Sequence, residues 1–189
     1  MMKIIPSMAA ALGLTLALSI PAEAAGISIS PLTKSLGVGD TIQFTIFADD
    51  IASDFPLDAG GLTVTFAPSL IELSNVTLAP GLLALSAPVI DNALGTINNI
   101  SFGANFGSSI FGTGIALINF TAKVLSAGSS PITVSEDIDN PFASGADPLT
   151  LTPSSVSATV STVSAVPLPA ALPLLLTGLL AIRRRHRAS

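Results

Sequence analysis

The stretch GDTIQFTIFA, from Gly39 to Ala48, shows the pattern that decides the fold. Its polar and apolar residues alternate along the chain: Thr41, Ile42, Gln43, Phe44, Thr45 and Ile46. Alternation with period two places one set of side chains on each face of an extended strand. The stretch therefore predicts a β-strand with one buried face and one face in water.

The same alternation recurs along most of the chain. It is found at 27–30, 62–66, 118–124, 132–134, 149–151 and 156–160. A further strand is predicted from Ile97 to Phe102, and a single helical turn from Gly81 to Leu85. Clusters of Gly, Pro, Asn and Asp separate these runs, and the polar partners are mainly Thr and Ser, which suit a solvated sheet face. We therefore predict an all-β fold, an antiparallel β-sandwich or jelly roll.

Between residues 25 and 182 the chain is acidic. It carries two lysines, Lys34 and Lys123, against eleven carboxylates: Asp40, Asp49, Asp50, Asp54, Asp58, Glu72, Asp91, Glu136, Asp137, Asp139 and Asp147. There is no basic patch of the kind that binds nucleic acid. The chain has no cysteine. The length between the two hydrophobic ends is enough for one domain with its own core, which we place at residues 25–160.

Residues 1–24 have the pattern of a signal peptide. Lys3 gives a positive start, Met8 to Ile20 form an apolar stretch, and Ala22-Glu23-Ala24 is a small-x-small cleavage site. We therefore expect the mature chain to begin at Ala25. The alternative is an uncleaved anchor, which the short apolar stretch does not favour.

The C-terminal stretch predicts a short membrane anchor. A linker at 161–165 is followed by two prolines, Pro167 and Pro169, and an apolar helix is predicted at about 170–182. Apolar residues run with few interruptions from Ala165 to Ile182, and the length of this run lies at the lower limit for crossing a bilayer. Four arginines follow: Arg183, Arg184, Arg185 and Arg187. Arginines mark the cytoplasmic side, so the domain before them would lie outside. The alternative is a buried core helix with a basic tail.

This C-terminal stretch, residues 166–189, resembles the PEP-CTERM sorting signal of Gram-negative bacteria. The motif is Val166, Pro167, Leu168 and Pro169, with Leu168 where the commoner motif has Glu, and the apolar helix and arginine cluster follow in the same order. The resemblance implies recognition by an exosortase in the inner membrane. It also implies cleavage near the motif and transfer to the cell surface or the exopolysaccharide matrix.

The body of the chain resembles a cohesin-like domain, from about Gly26 to Val160. The residues that carry this resemblance are Gly39-Asp40 before a strand, LTVTFAPSLI from Leu62 to Ile71, and INFTA from Ile118 to Ala122. The resemblance implies a nine-stranded jelly roll related to carbohydrate-binding modules. It also implies a calcium-loaded dockerin as the usual partner.

The sequence offers no catalytic site. The single histidine, His186, lies within the arginine cluster, and the predicted domain has no histidine, cysteine or tyrosine. Ser-His-Asp and Cys-His arrangements are therefore excluded there, as are metal sites built on His or Cys. We predict that the protein is not an enzyme.

Two acidic clusters contain enough oxygen ligands for calcium. One lies at 49–58, and the other, which we favour, comprises Asp137, Asp139, Asn140 and Asp147 after Glu136. Neither matches the EF-hand spacing, and Asp and Asn are also the expected residues of solvated turns. The sequence leaves both interpretations open.

Sugar binding usually requires exposed aromatic rings, and the chain has no Trp and no Tyr. Four phenylalanines fall in predicted loops, Phe55, Phe106, Phe111 and Phe142, and they either lie exposed or close the ends of the sandwich. Two functions therefore remain open. The first is an exported, non-enzymatic surface or matrix protein sorted by an exosortase. The second is an adhesion module for a dockerin-like protein or a polysaccharide.

Overall fold

The structure is a computed structural model that describes residues 25–105 and 108–162. These residues form thirteen β-strands in two sheets. The strands are β1 (Gly26–Ser30), β2 (Thr33–Leu36), β3 (Thr41–Asp49), β4 (Ala59–Phe66), β5 (Ile71–Leu78), β6 (Leu82–Ala84), β7 (Val89–Asp91), β8 (Thr96–Ala104), β9 (Ile115–Val124), β10 (Ser129–Glu136), β11 (Ala143–Ser144), β12 (Asp147–Pro148) and β13 (Ser155–Thr162).

The two sheets pack as a sandwich, which confirms the predicted fold class. The smaller sheet has the order β1-β3-β9-β5. In the larger sheet β2, β13, β10 and β4 lie side by side, and β8 pairs with the other edge of β4. The short strands β6 and β7 pair one after the other with β8. All pairs are antiparallel except β2 with β13.

The core lies between the sheets and is built from the apolar phase of each strand. Phe44 and Phe120 stack with ring centroids 5.5 Å apart, and Phe102 meets Phe142 edge to face, also at 5.5 Å. All four rings are fully buried. The alternating patterns of β3, β4, β9 and β10 therefore supply one continuous core, as the sequence predicts.

The sandwich has two distinct ends. At the long-loop end lie residues 50–58, 79–81, 108–114, 137–142 and 149–154, together with Ala25. The other end, which we call the exit end, carries the turns 37–40, 67–70, 92–95 and 125–128 and the last described residue, Thr162. The described chain thus enters at the long-loop end and leaves at the exit end.

Several local predictions are wrong. Residues 82–84 form strand β6 instead of a helical turn, because they pair with β8. Leu149 and Leu151 are buried but lie in a loop, not in a strand. The last strand continues to Thr162 through its parallel pairing with β2, so the predicted linker at 161–165 begins inside β13.

The side chain of Asn92 hydrogen-bonds to the free edge of the smaller sheet. Asn92, in the β7–β8 turn, accepts a hydrogen bond from the backbone N–H of Leu73 at 2.9 Å and donates one to the C=O of Leu73 at 3.0 Å. The amide therefore bonds to edge strand β5 as a neighbouring strand would. It also ties the turn of the larger sheet to the smaller sheet, since β7 and β8 belong to the larger one.

Replacing Asn92 with alanine is expected to lower the free energy of unfolding by about 2–3 kcal/mol. The change removes two hydrogen bonds and leaves a donor and an acceptor of Leu73 without partners. Thermal and urea unfolding measure the effect. Asn98→Ala is the matched control, because Asn98 is exposed and bonds only to the Thr96 hydroxyl. Equal stability of the two variants would contradict this role of Asn92.

Candidate interaction surface

The outward side of the larger sheet is a surface of hydroxyl groups. Along β4, Leu62, Val64 and Phe66 are buried, so Thr63 and Thr65 point away from the core. Ser and Thr side chains of the adjacent strands point outward on the same side of the sheet. We call the whole set the hydroxyl face: Thr63, Thr65, Thr96, Thr133, Ser135, Ser155, Ser157 and Thr159.

The strand register aligns these hydroxyls in rows across the sheet. Ser157 lies opposite Thr133, Thr133 opposite Thr65, and Thr65 opposite Thr96, so that one row crosses four strands. The hydroxyls of Thr133 and Ser157 are 2.9 Å apart and hydrogen-bonded. In a second row Ser135 lies between Ser155 and Thr63. Adjacent members of a row are about 4.8 Å apart, the usual strand spacing.

The hydroxyl face carries no charge, although the domain as a whole is acidic. Strands β4, β8 and β13 contain no charged residue, and the one in β10 is Glu136 at its last position. The Glu136 carboxylate accepts a hydrogen bond from the Phe142 N–H at 2.6 Å, beside the core and not on the face. The eight hydroxyl side chains therefore offer donors and acceptors without charge, and a carboxylate borders them only at Asp91 on β7, opposite Thr96.

An apolar border lies along one edge of the hydroxyl face. Leu83 on β6, Leu85 just after it and Val89 on β7 are all about half exposed. Leu83 pairs with Gly103 and Val89 with Asn98 on β8. The edge strands therefore add exposed apolar area to a face that is otherwise polar.

A groove of about 450 Å³ adjoins the opposite border, at the long-loop end. Ser135 and Ser155 join the groove to the hydroxyl face, and Ile138 is almost fully exposed above it. The lining residues are Ser135, Glu136, Asp137, Ile138, Pro141, Ser154 and Ser155.

The favoured calcium residues fall in two different places. Asp137, Asp139 and Asn140 share a turn, in which the Asp137 carboxylate accepts hydrogen bonds from the Asp139 N–H at 2.9 Å and the Asn140 amide at 3.4 Å. Asp147 lies on β12, opposite Ser144. Within residues 25–105 and 108–162 no group of three His, Cys, Asp or Glu side chains is placed to hold a metal. Calcium binding stays a prediction.

Carboxylates of the other acidic cluster also bond to loop backbone. Asp49 accepts a hydrogen bond from the Gly114 N–H at 2.8 Å, and Asp58 accepts one from the Gly145 N–H at 2.7 Å. These bonds tie the 50–58 loop to its neighbours at the long-loop end. Both carboxylates therefore bond to the backbone of other loops, far away in the sequence, and not within their own turn.

Two adjacent glycines hold the turn beside the groove. A Cβ at Gly60 would overlap the Phe142 ring, and a Cβ at Gly61 would come within 2.7 Å of the Asn140 Cβ. The Gly61 carbonyl accepts a hydrogen bond from the Asp137 N–H at 2.9 Å. Residues 137–142 therefore pack directly on the start of β4, which only glycine permits.

The loop phenylalanines take different positions. Phe142 is fully buried and closes the long-loop end, whereas Phe55 and Phe111 are partly exposed there. Phe106 lies outside the described residues. The hydroxyl face has no aromatic side chain at its outward positions.

The predicted sorting elements cannot be compared with the structure. The signal peptide at 1–24, the motif at 166–169, the helix at 170–182 and the arginine cluster all lie outside the described residues. In the described part of the chain, no helix has the length and the apolar character needed to cross a bilayer.

Neither a protein-family model nor a curated protein sequence matches this chain. Solved structures do share its fold. One is the third cohesin of ScaC from Acetivibrio cellulolyticus in complex with the ScaB dockerin, with a TM-score of 0.54, 12% identity and coverage of 74% of this chain and 99% of that chain.

Two further structures agree with this match. The sixth cohesin of scaffoldin B from Acetivibrio cellulolyticus, solved with the Cel5 dockerin, has a TM-score of 0.53 and 13% identity over 74% of this chain and 99% of its own. The seventh ScaB type I cohesin from Pseudobacteroides cellulosolvens has a TM-score of 0.51 and 18% identity over 77% and 96%. The cohesin-like fold predicted from the sequence is therefore confirmed.

Proposed function

We propose that this chain is an exported, non-enzymatic surface protein whose β-sandwich is a binding module for a dockerin-like protein. The observation that carries the proposal is the fold, because cohesins of this fold are solved in complex with dockerins. The domain supplies no histidine, cysteine or tyrosine for catalysis. A binding role needs only a suitable surface, and the hydroxyl face provides one.

The hydroxyl face with its two borders has the dimensions of a modest protein interface. Four strands about 4.8 Å apart and eight residues long give roughly 500 Å². One partner in a standard interface buries about 800 Å², so the apolar border and the groove would contribute the rest. The absence of outward aromatic rings from the hydroxyl face favours a protein over a polysaccharide, since sugars are usually held by aromatic platforms.

Capture from the native extracellular matrix tests this proposal. The immobilised mature protein is expected to retain one dominant protein partner, with saturable binding that changes little between low and high salt. Weak retention that salt abolishes would instead support a purely structural matrix protein. Retention of exopolysaccharide without a protein would favour the polysaccharide alternative.

We also propose that the protein is anchored transiently in the inner membrane and sorted by an exosortase to the cell surface or the matrix of a Gram-negative bacterium. This proposal is supported by the sequence pattern of residues 166–189: the VPLP motif, the apolar run and the arginine cluster. The signal peptide pattern at 1–24 supports export.

Deletion of residues 166–189 is expected to abolish membrane association of the unprocessed protein. The deletion removes nearly all of the apolar run at 165–182, and anchoring requires about 17 or more apolar residues. Membrane fractionation measures the effect, and the intact mass of the mature full-length protein locates both cleavages. A truncated protein that still sediments with membranes would contradict the sorting proposal.

A further inference from the structure

The charges of the domain are distributed unequally between its two ends. Eight of the eleven carboxylates lie at the long-loop end: Asp49, Asp50, Asp54, Asp58, Glu136, Asp137, Asp139 and Asp147. The remaining three, Asp40, Glu72 and Asp91, lie towards the exit end, and both lysines, Lys34 and Lys123, lie there as well. One end is therefore strongly anionic, and the other is close to neutral.

Exposed aliphatic side chains occupy the turn tips of the exit end. Leu94 is 75% exposed, Val38 is 58% exposed and Leu125 is 42% exposed. They lie on three different turns, 92–95, 37–40 and 125–128, that meet at this end. The turns are held in place by their own hydrogen bonds, for example from the Ala93 and Leu94 N–H groups to the Asp91 carboxylate, both at 2.9 Å.

The chain leaves the domain among these turn tips. The Thr162 N–H donates to the Gly128 carbonyl at 2.8 Å, and the Thr162 hydroxyl donates to the same carbonyl at 3.0 Å. The end of β13 is thereby fixed beside the turn that carries Leu125. The segment 163–169 separates this point from the apolar run at 170–182, and it reaches at most about 25 Å when fully extended.

We propose that the exit end is a membrane-facing surface, with Val38, Leu94 and Leu125 in the lipid interface and the long-loop end directed away from the bilayer. The proposal rests on the C-terminal anchor described under Proposed function. A tether of that length keeps the exit end near the headgroups. Aliphatic side chains on rigid turns can then enter the interface and leave water.

Charge selects the exit end over the long-loop end. Phe111 and Ile138 are also exposed, but they lie at the end with eight carboxylates and no lysine. An anionic lipid surface repels such an end within about one Debye length. The exit end carries three carboxylates against two lysines and is close to neutral, so an anionic bilayer repels it far less than the long-loop end. The hydroxyl face then stands roughly upright and stays accessible to a partner.

Single tryptophans test this orientation, because the chain contains none. The uncleaved chain without its signal peptide is reconstituted in vesicles of phosphatidylethanolamine with a minority of phosphatidylglycerol. Leu94→Trp and Val38→Trp report on the exit end, and Phe111→Trp is the matched reporter at the long-loop end. Lipids brominated near the headgroup are expected to quench the emission of the Leu94→Trp and Val38→Trp variants at least twofold and to leave that of Phe111→Trp unchanged.

The possible results distinguish failure of the proposed orientation from failure of the proposed C-terminal anchor. Flotation of the vesicles first shows whether the chain is bound, and a thermal melt of each variant shows that it is folded. A chain that does not float overturns the anchor and the inference together. A chain that floats without quenching in the two exit-end variants, or with equal quenching in Phe111→Trp, overturns the inference and leaves the anchor in place.

Discussion

Replacing Phe142 with alanine is expected to lower the free energy of unfolding by about 3–5 kcal/mol. The Phe142 ring is fully buried and meets Phe102 edge to face, with the centroids 5.5 Å apart. It lies against the bare backbone of Gly60, where no other residue leaves room for a ring. Its removal opens a cavity at the long-loop end. Residues 137–142 also lose the buried side chain that holds them against the core. Denaturant unfolding and calorimetry measure the loss.

Phe111→Ala is the control for this prediction. Phe111 is also a phenylalanine at the long-loop end, but its side chain is 55% exposed. Its truncation is therefore expected to change the free energy of unfolding by no more than about 0.5 kcal/mol. Phe142→Leu keeps most of the apolar volume and is expected to fall between the two. If Phe142→Ala unfolds like Phe111→Ala, the loop at 137–142 is not held by the core.

The side chain of Phe142 also links the core to the groove. Asp137 and Ile138 line the groove, and Phe142 ends the turn that carries them. The Glu136 carboxylate, which also lines the groove, accepts the Phe142 N–H at 2.6 Å. A variant at position 142 therefore changes the groove as well as the stability, and it is unsuitable as a probe of binding alone.

Most of the fold follows from the alternation of apolar and polar residues, but strand β5 does not. Its apolar residues are Ile71 and Leu73, then Val76 and Leu78, so the phase shifts in the middle of the strand. The shift is a bulge between Ser74 and Thr77, where Asn75 has a φ of 54°. A β-bulge inserts one residue and breaks the period of two. A search for strict alternation therefore passes over this strand.

Long-range pairing explains the other local errors. Leu82–Ala84 has no strand pattern of its own and becomes β6 because β8 offers a free edge. Leu149 and Leu151 have the pattern of a strand, but they are buried in a loop beside Phe142, whose carbonyl accepts the Leu149 N–H at 2.7 Å. Periodicity reports which side chains are buried, and it does not report which backbone they pair with.

The candidate surface was visible in the sequence only in fragments. The polar phase of each strand, such as Thr63 and Thr65 or Thr133 and Ser135, identifies a solvated face. That these fragments lie side by side depends on the order of β13, β10, β4 and β8, which a single sequence does not specify. The absence of charge from the outward positions of four adjacent strands becomes a property of one surface only after the strand order is known.

Replacing Thr65 with lysine is expected to weaken partner binding about 100-fold or more, which corresponds to about 2.8 kcal/mol. Thr65 lies at the centre of the hydroxyl face, between Thr133 and Thr96. Neither adjacent strand has a carboxylate beside position 65. The nearest one in the row, Asp91, lies two strands away on β7 and is bonded to its own turn, so the ammonium group would be buried against the partner without a close counter-charge. Titration calorimetry with the captured partner measures the loss.

Thr77→Lys makes the same chemical change on the other sheet. Thr77 is exposed on β5, opposite Asn119, on the outer side of the smaller sheet. Both substitutions lie on solvated strand positions, so both variants are expected to keep the thermal stability of the parent within the range of ordinary surface changes. Loss of binding in Thr65→Lys with normal binding in Thr77→Lys assigns the partner to the hydroxyl face. Equal binding by the two variants would exclude the hydroxyl face as the binding surface. The groove and the long loops would then be the candidates, and their carboxylates predict a partner whose binding is weakened by salt.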